Sequence, residues 1–201
     1  MFEKKANGEP DFTEEKAFNY FSNLYQDEKR AEPVDPLPEM KSPSKPCHAF
    51  SDAPPSLKEI QDVIHPKRNA AAPGLDGITY VPYKRCPALL PVLVELFGKI
   101  WRCNEIPADW SAASIQLLAK SSKLTEPSEF RPIALTNTVG KIFFAVIAKR
   151  LEQFMSKNKY ISHVQKGFKA NTPGCLEHSF AMFEALLDTK TNQRQIAISW
   201  L

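Results

Sequence analysis

Residues 130–168 read FRPIALTNTVGKIFFAVIAKRLEQFMSKNKYISHVQKGF, and the rest of the chain is interpreted outward from them. Phe130-Arg131-Pro132-Ile133 opens the stretch and Gln165-Lys166-Gly167-Phe168 closes it. Between them the spacing predicts a basic amphipathic helix from Thr138 to Met155, with Val139, Ile142, Phe143, Val146, Ile147 and Phe154 on one stripe. At about 100° per residue Lys141 falls opposite that stripe. Arg150 falls on it, so its stem packs and its head snorkels or pairs. Fixed cations, a long helix and a Gly-containing turn suit a site that holds phosphate and stacks a base.

The charge distribution agrees. Residues 1–40 hold 5 Lys/Arg against 10 Asp/Glu, whereas residues 41–201 hold 21 against 13. The net charge of +3 therefore joins an acidic N-terminal stretch to a basic remainder, which suggests a polyanionic partner or an ordinary solvated surface. Cys47, Cys86, Cys103 and Cys175 form no Cys-x-x-Cys pair, which fits a reducing compartment better than a disulfide framework. Cys47-His48 lacks zinc spacing and reads as a linker thiol beside an exposed His. His65, His163 and His178 stand in no motif and read as ordinary residues. The longest apolar run, Ile142 to Ala148, is too short to span a membrane. The N-terminus lacks an apolar signal core, so the expectation is a cytoplasmic or nuclear protein, not a secreted one.

The chain divides by composition into an acidic helical arm (1–30), a Pro-rich linker (31–55) and a domain (56–201). Asp11 and Glu14 have capping-box spacing, and Ala17, Phe18, Phe21, Leu24 and Tyr25 recur at helical intervals. Seven prolines in residues 31–55 exclude a continuous helix or central strand. Ser56-Leu57-Lys58-Glu59 is a second capping box, opening a helix with Leu57, Ile60, Val63 and Ile64 inward and Pro66 at its end. Ala70 to Gly77 is a turn-rich loop in which Asp76 caps or bends the turn. A helix covers roughly Ala88 to Cys103, with Pro91 in its first turn or kinking it and Asn104 capping its end. Ala113 to Ala119 reads as a strand. Thr172-Pro173 starts a further helix with Leu176, Phe180, Phe183 and Leu187 inward, and Gln195 to Leu201 has an apolar strand pattern.

From about residue 56 onward the chain resembles the N-terminal part of a reverse transcriptase domain, of the non-LTR (LINE-like) retrotransposon type. Six features occur in the family's order. Ala72-Pro73-Gly74-Leu75-Asp76-Gly77-Ile78 matches the early "sPGpDGi" loop, and Ile106-Pro107-Ala108-Asp109-Trp110 matches "iP..W". Ile115 to Lys120 matches the "i.li.K" strand, and Phe130 to Leu135 matches "yRPIsL". Lys141-Ile142 and Lys149-Arg150-Leu151 match the following helix, and Gln165-Lys166-Gly167-Phe168 matches "Q.GF". Each is weak alone; six in order over more than a hundred residues are specific.

The resemblance implies an α+β fold: a helix-rich fingers subdomain and the first palm elements of a polymerase right hand, incomplete within these residues. It implies RNA-directed DNA synthesis in the full-length parent, with RNA template, DNA primer, deoxynucleoside triphosphates and Mg2+ as partners and no membrane. Arg131, Lys141 and Lys120 match the nucleotide-binding cations. Gln165, Gly167 and Phe168 match the pocket beside the template base and nucleotide. Charge-assisted bonds of this kind contribute roughly 1.5–3 kcal/mol each. The alternatives are that Arg131 pairs with Glu126 or Glu129, that Lys141 is a solvated helix residue, and that Phe168 is core. The Gly74–Gly77 loop reads as structural and Trp110 as a packing anchor. In relatives an Asp-Leu-x-x-Ala-Phe segment follows the strand matched by Ile198 to Leu201, so the metal-binding Asp residues are expected beyond Leu201. The expectation is therefore a chain that is catalytically inert alone. A non-catalytic basic nucleic-acid-binding module, or a fragment with no function of its own, are the other readings.

Overall fold

The computed structural model describes residues 10–28, 44–120, 125–162, 165, 172–174 and 176–197. Among them the fold mixes helix with one small sheet. The helices are α1 (Glu14–Tyr25), α2 (Leu57–Ile64), α3 (Val81–Arg85), α4 (Leu89–Cys103), α5 (Thr138–Lys157) and α6 (Leu176–Thr191). Strands β1 (Ala113–Ala119) and β2 (Phe130–Thr136) pair antiparallel, with Ala113 opposite Thr136 and Ala119 opposite Phe130. The chain forms two compact units, residues 1–42 with 52–148, and residues 43–51 with 149–201. No helix among the described residues is long and apolar enough to cross a membrane.

In the first unit, the capping box predicted at Ser56 forms. The Glu59 carboxylate accepts from the Ser56 backbone N–H at 2.9 Å, and the Ser56 hydroxyl accepts from the Glu59 N–H at 3.4 Å. Helix α2 then buries Ile60, Val63 and Ile64. Leu57, expected inward, is 42% exposed, because it occupies the first helical position, beyond the reach of the core. Pro91 lies in the first turn of α4, where a missing N–H costs nothing, and Asn104 ends the helix in the left-handed region at φ 56°. Helix α3 was not anticipated: at five residues it is too short to show periodicity, yet it buries Tyr83. Around these, Phe97, Ile100, Ile142, Phe143 and Val146 close the core. The α5 stripe predicted from sequence supplies the last three of these residues. Phe97 is fully buried, with its ring centroid 5.2 Å from Phe143 and 6.2 Å from Trp110.

Helix α1 does begin near residue 13, but not through Asp11. The Thr13 hydroxyl accepts from the Lys16 N–H at 3.2 Å, and the cap is Thr13. With Lys16 at the third helical position, no carboxylate completes a box. No residue of α1 is buried.

In the second unit, residues 44–51 have no regular structure but are held side chain by side chain. Asn158 accepts from the His48 N–H at 2.9 Å and donates to the His48 carbonyl at 3.0 Å. Phe154 meets Phe50 edge-on at 5.7 Å and Tyr160 at 5.8 Å. Arg150 is 6% exposed and donates to the Ser51 carbonyl at 3.3 Å, so its head pairs rather than reaching water. Helix α6 corrects an expectation. Leu176, Phe180, Phe183 and Leu187, expected inward, are 46–69% exposed. Periodicity marks an apolar face but not what covers it, and no residue of α6 is buried. The helix starts at Leu176 rather than at Pro173, because Gly174 adopts φ +71° between them. Residues 195–197 are not in a strand, and residues 198–201 of the expected strand lie outside the described residues.

Candidate nucleic-acid interface

The site grows from the β1–β2 hairpin. Phe130 is 2% exposed and its ring meets Phe12 edge-on at 5.3 Å, which fixes the start of β2. Alternation along the strand then places Arg131 opposite Leu118 and exposed. The ladder runs one rung past β1: the Lys120 N–H donates to the Glu129 carbonyl at 2.8 Å. Lys120 Nζ donates to the Ser128 carbonyl at 2.7 Å. That acceptor is a neutral carbonyl rather than a carboxylate.

Lys120 and Arg131 line one cleft of about 320 Å³. Ser128, Pro132 and Ile133 complete its hairpin wall, and Tyr20, Phe21, Leu24 and Tyr25 of α1 form the other. None of its described lining residues is acidic. Arg131 pairs with neither of the carboxylates considered from sequence. Glu126 instead bonds Lys16 of α1 at 3.0 Å, across an exposed ion pair. The Glu129 Oε2 atom is buried without a hydrogen-bond partner.

Lys141 does not line this cleft. It stands in the first turn of α5, where its Nζ donates to the Ala72 carbonyl at 3.0 Å. Burial lowers its pKa, an effect partly offset by the nearby Asp76 carboxylate. It thereby ties the Ala72–Gly77 loop to the helix. Other contacts do the same. The Thr138 hydroxyl donates to the Ile78 carbonyl, and Gly74 packs directly on the backbone of Thr136 and Asn137. Within the loop the Gly77 N–H donates to the Gly74 carbonyl at 3.1 Å, and Asp76 Oδ1 accepts from the Ile78 N–H at 3.1 Å, as a bending Asp should. Trp110 lies over Gly140, 3.1 Å from where a Cβ would stand, and against Phe143 at 5.5 Å. The quoted loop, the Pro-Ala-Asp-Trp segment and the start of α5 thus meet as architecture around one helix end.

Gln165 is exposed; Gly167 and Phe168 lie outside the described residues. Sequence alone did not find the wall that α1 contributes. Its aromatic residues read as a helical stripe, and nothing local indicates that they face residues about a hundred positions away. Of the cysteines, Cys47, Cys86 and Cys103 are exposed free thiols, and Cys175 lies outside the described residues.

No protein-family model matches the chain. Curated relatives do. The probable RNA-directed DNA polymerase from transposon X-element of Drosophila melanogaster is 32% identical over 114 residues, 56% of this chain and 13% of that protein. The retrovirus-related Pol polyprotein from type-1 retrotransposable element R2 of Popillia japonica is 31% identical over 144 residues, 71% of this chain and 18% of its own length. The probable RNA-directed DNA polymerase from transposon BS of Drosophila melanogaster is 28% identical over 118 residues, 58% of this chain and 13% of that protein. The matched stretch thus spans less than a fifth of these relatives. This chain is homologous to a segment of the RNA-directed DNA polymerases of non-LTR retrotransposons.

Proposed function

We propose that this chain is the nucleotide- and nucleic-acid-holding fingers segment of an RNA-directed DNA polymerase, together with the start of its palm. In the parent polymerase its partners are an RNA template, a DNA primer and deoxynucleoside triphosphates, and its part is binding rather than bond making. The observation that carries the reading is the juxtaposition of Lys120 and Arg131 in one cleft with no acidic residue among its described lining residues. Two cations carried by the β1–β2 ladder offer donors to phosphate, the guanidinium as a fork and the ammonium as a point charge. Lys141 stands outside the cleft and holds the Ala72–Gly77 loop to the start of α5.

Mg2+ belongs to the parent's chemistry in this reading. Among the described residues no group of three or more His, Cys, Asp or Glu side chains is placed to hold a metal ion. The 201 residues alone are proposed to bind without extending a primer.

Fluorescence anisotropy of a labelled single-stranded RNA, titrated at about 50 mM and about 200 mM salt, tests the binding. Phosphate contacts release counterions, so affinity should be saturable at low salt and fall steeply at high salt. No saturable binding at low salt would remove the proposal. Primer extension with magnesium, run on the same preparation, should give no product; incorporation would show that this chain catalyses.

A further inference from the structure

The cleft that holds Lys120 and Arg131 has a second wall, and it is aromatic. Tyr20, Phe21 and Tyr25 of α1 stand there. The Phe21 and Tyr25 rings are nearly parallel, 13° apart at 6.3 Å, and Tyr20 meets Phe21 edge-on at 5.1 Å. Tyr25 is 68% exposed. These rings are not core: α1 buries none of its residues. The helix is held to its unit by the Phe12–Phe130 contact and the Lys16–Glu126 pair, both outside the aromatic half. What the rings adjoin instead is two cations.

We propose that α1 is the base-stacking wall of a single-stranded nucleic-acid site, with an unpaired base on Tyr20 and Tyr25 while its phosphates lie on Lys120 and Arg131. The proposal rests on the phosphate role given to those two cations above. Three properties select the ligand. Adjacent cations without a described lining acid select a polyanion. The exposed Tyr25 ring and the half-buried Tyr20 ring beside them select a planar partner, and base–aromatic stacking tolerates any sequence because every base has a π-face. A duplex keeps its bases stacked inside, so only an unpaired strand can present one to a ring. The cleft, about 320 Å³, has the size of a small-ligand site rather than of a groove for a double helix.

The test uses the 201-residue protein and a fluorescein-labelled ten-nucleotide oligouridine, alone and annealed to oligoadenosine. Replacing Tyr20 and Tyr25 together by Ala should weaken single-strand binding about tenfold or more. The slope of affinity against salt should stay the same, since no phosphate contact is touched. Binding to the duplex should change little. The Tyr20→Phe, Tyr25→Phe pair keeps the rings and should bind like the wild type. Tyr25→Leu, at an exposed position, keeps apolar bulk without a π-face and should lose affinity with the helix content of the protein unchanged by circular dichroism. Full single-strand affinity in the Tyr25→Leu and double-Ala variants would overturn the stacking wall. Lys120→Gln with Arg131→Gln then separates the two claims. If it lowers the salt slope while the Tyr variants bind normally, the phosphate site stands and the wall falls. If neither set alters binding, both fall.

Discussion

Gly74 has no room for a methyl group. A Cβ there would lie 2.5 Å from the Asn137 backbone nitrogen and 2.5 Å from the Thr136 carbonyl carbon. Both atoms are main chain, so no rotamer change relieves the clash. Gly74→Ala should destabilise the first unit by about 2–4 kcal/mol, at the severe end of single substitutions, measured by urea unfolding. A loss below about 1 kcal/mol would contradict the close docking of the loop on the start of α5. Lys141, in the same junction, supplies a pH signature. Burial lowers its pKa below the ordinary 10.5. Between the lowered value and 10.5 the unfolded chain binds more protons than the folded one, so the residue's contribution to stability rises with pH across that window. Tyr80 and Tyr83 oppose it in the alkaline range, because burial raises their pKa values above 10.0 and the unfolded tyrosines ionise first. Lys141→Met keeps both tyrosines and isolates the lysine. The unfolding free energy of wild type relative to this variant should increase as pH rises toward 10.5; a constant difference contradicts the buried setting. At this scale the sequence was informative about local chemistry. The turn residues of the Pro-Gly-Leu-Asp-Gly run and the packing role of Trp110 follow from residue type. That the loop abuts Asn137 does not, because a close approach between distant segments leaves no local pattern.

At the scale of elements, periodicity and capping did most of the work. The strand Ala113–Ala119 has its expected bounds, and α4 and α5 each agree within two residues, because each is long, regular and carries its own start or stop signal. The Ser56–Glu59 box is such a signal. Ser56→Ala should cost about 1 kcal/mol in urea unfolding, and a neutral substitution would mean that packing alone fixes the start of α2. The second strand was less readable. Pro132 lies inside β2, and a proline demotes a strand pattern. It is tolerated because a two-stranded sheet has only edges, so a missing N–H need not break a ladder. Helix α6 shows the opposite failure: the apolar face was read correctly, and its burial was inferred from it wrongly. Burial depends on a neighbour, which the helix's own sequence does not encode.

For the whole molecule, composition gave a sign rather than a site. The excess of Lys and Arg after residue 40 suits a polyanion, but the same excess suits a solvated surface. The fold adds a location, bringing Lys120, Arg131 and the rings of α1 to one cleft. The matched relatives extend far beyond the stretch shared with this chain. The central claim is therefore that binding is localised in the cleft rather than spread over the basic surface. A charge-matched comparison tests it most directly. Single-stranded RNA affinity is measured by anisotropy for Lys120→Gln with Arg131→Gln, and for Lys157→Gln with Lys190→Gln, two exposed lysines outside the described lining of the cleft. Each pair removes two positive charges. The cleft pair should weaken binding at least tenfold more than the control pair, from about two charge-assisted bonds against diffuse screening. Equal losses from the two pairs would contradict the account.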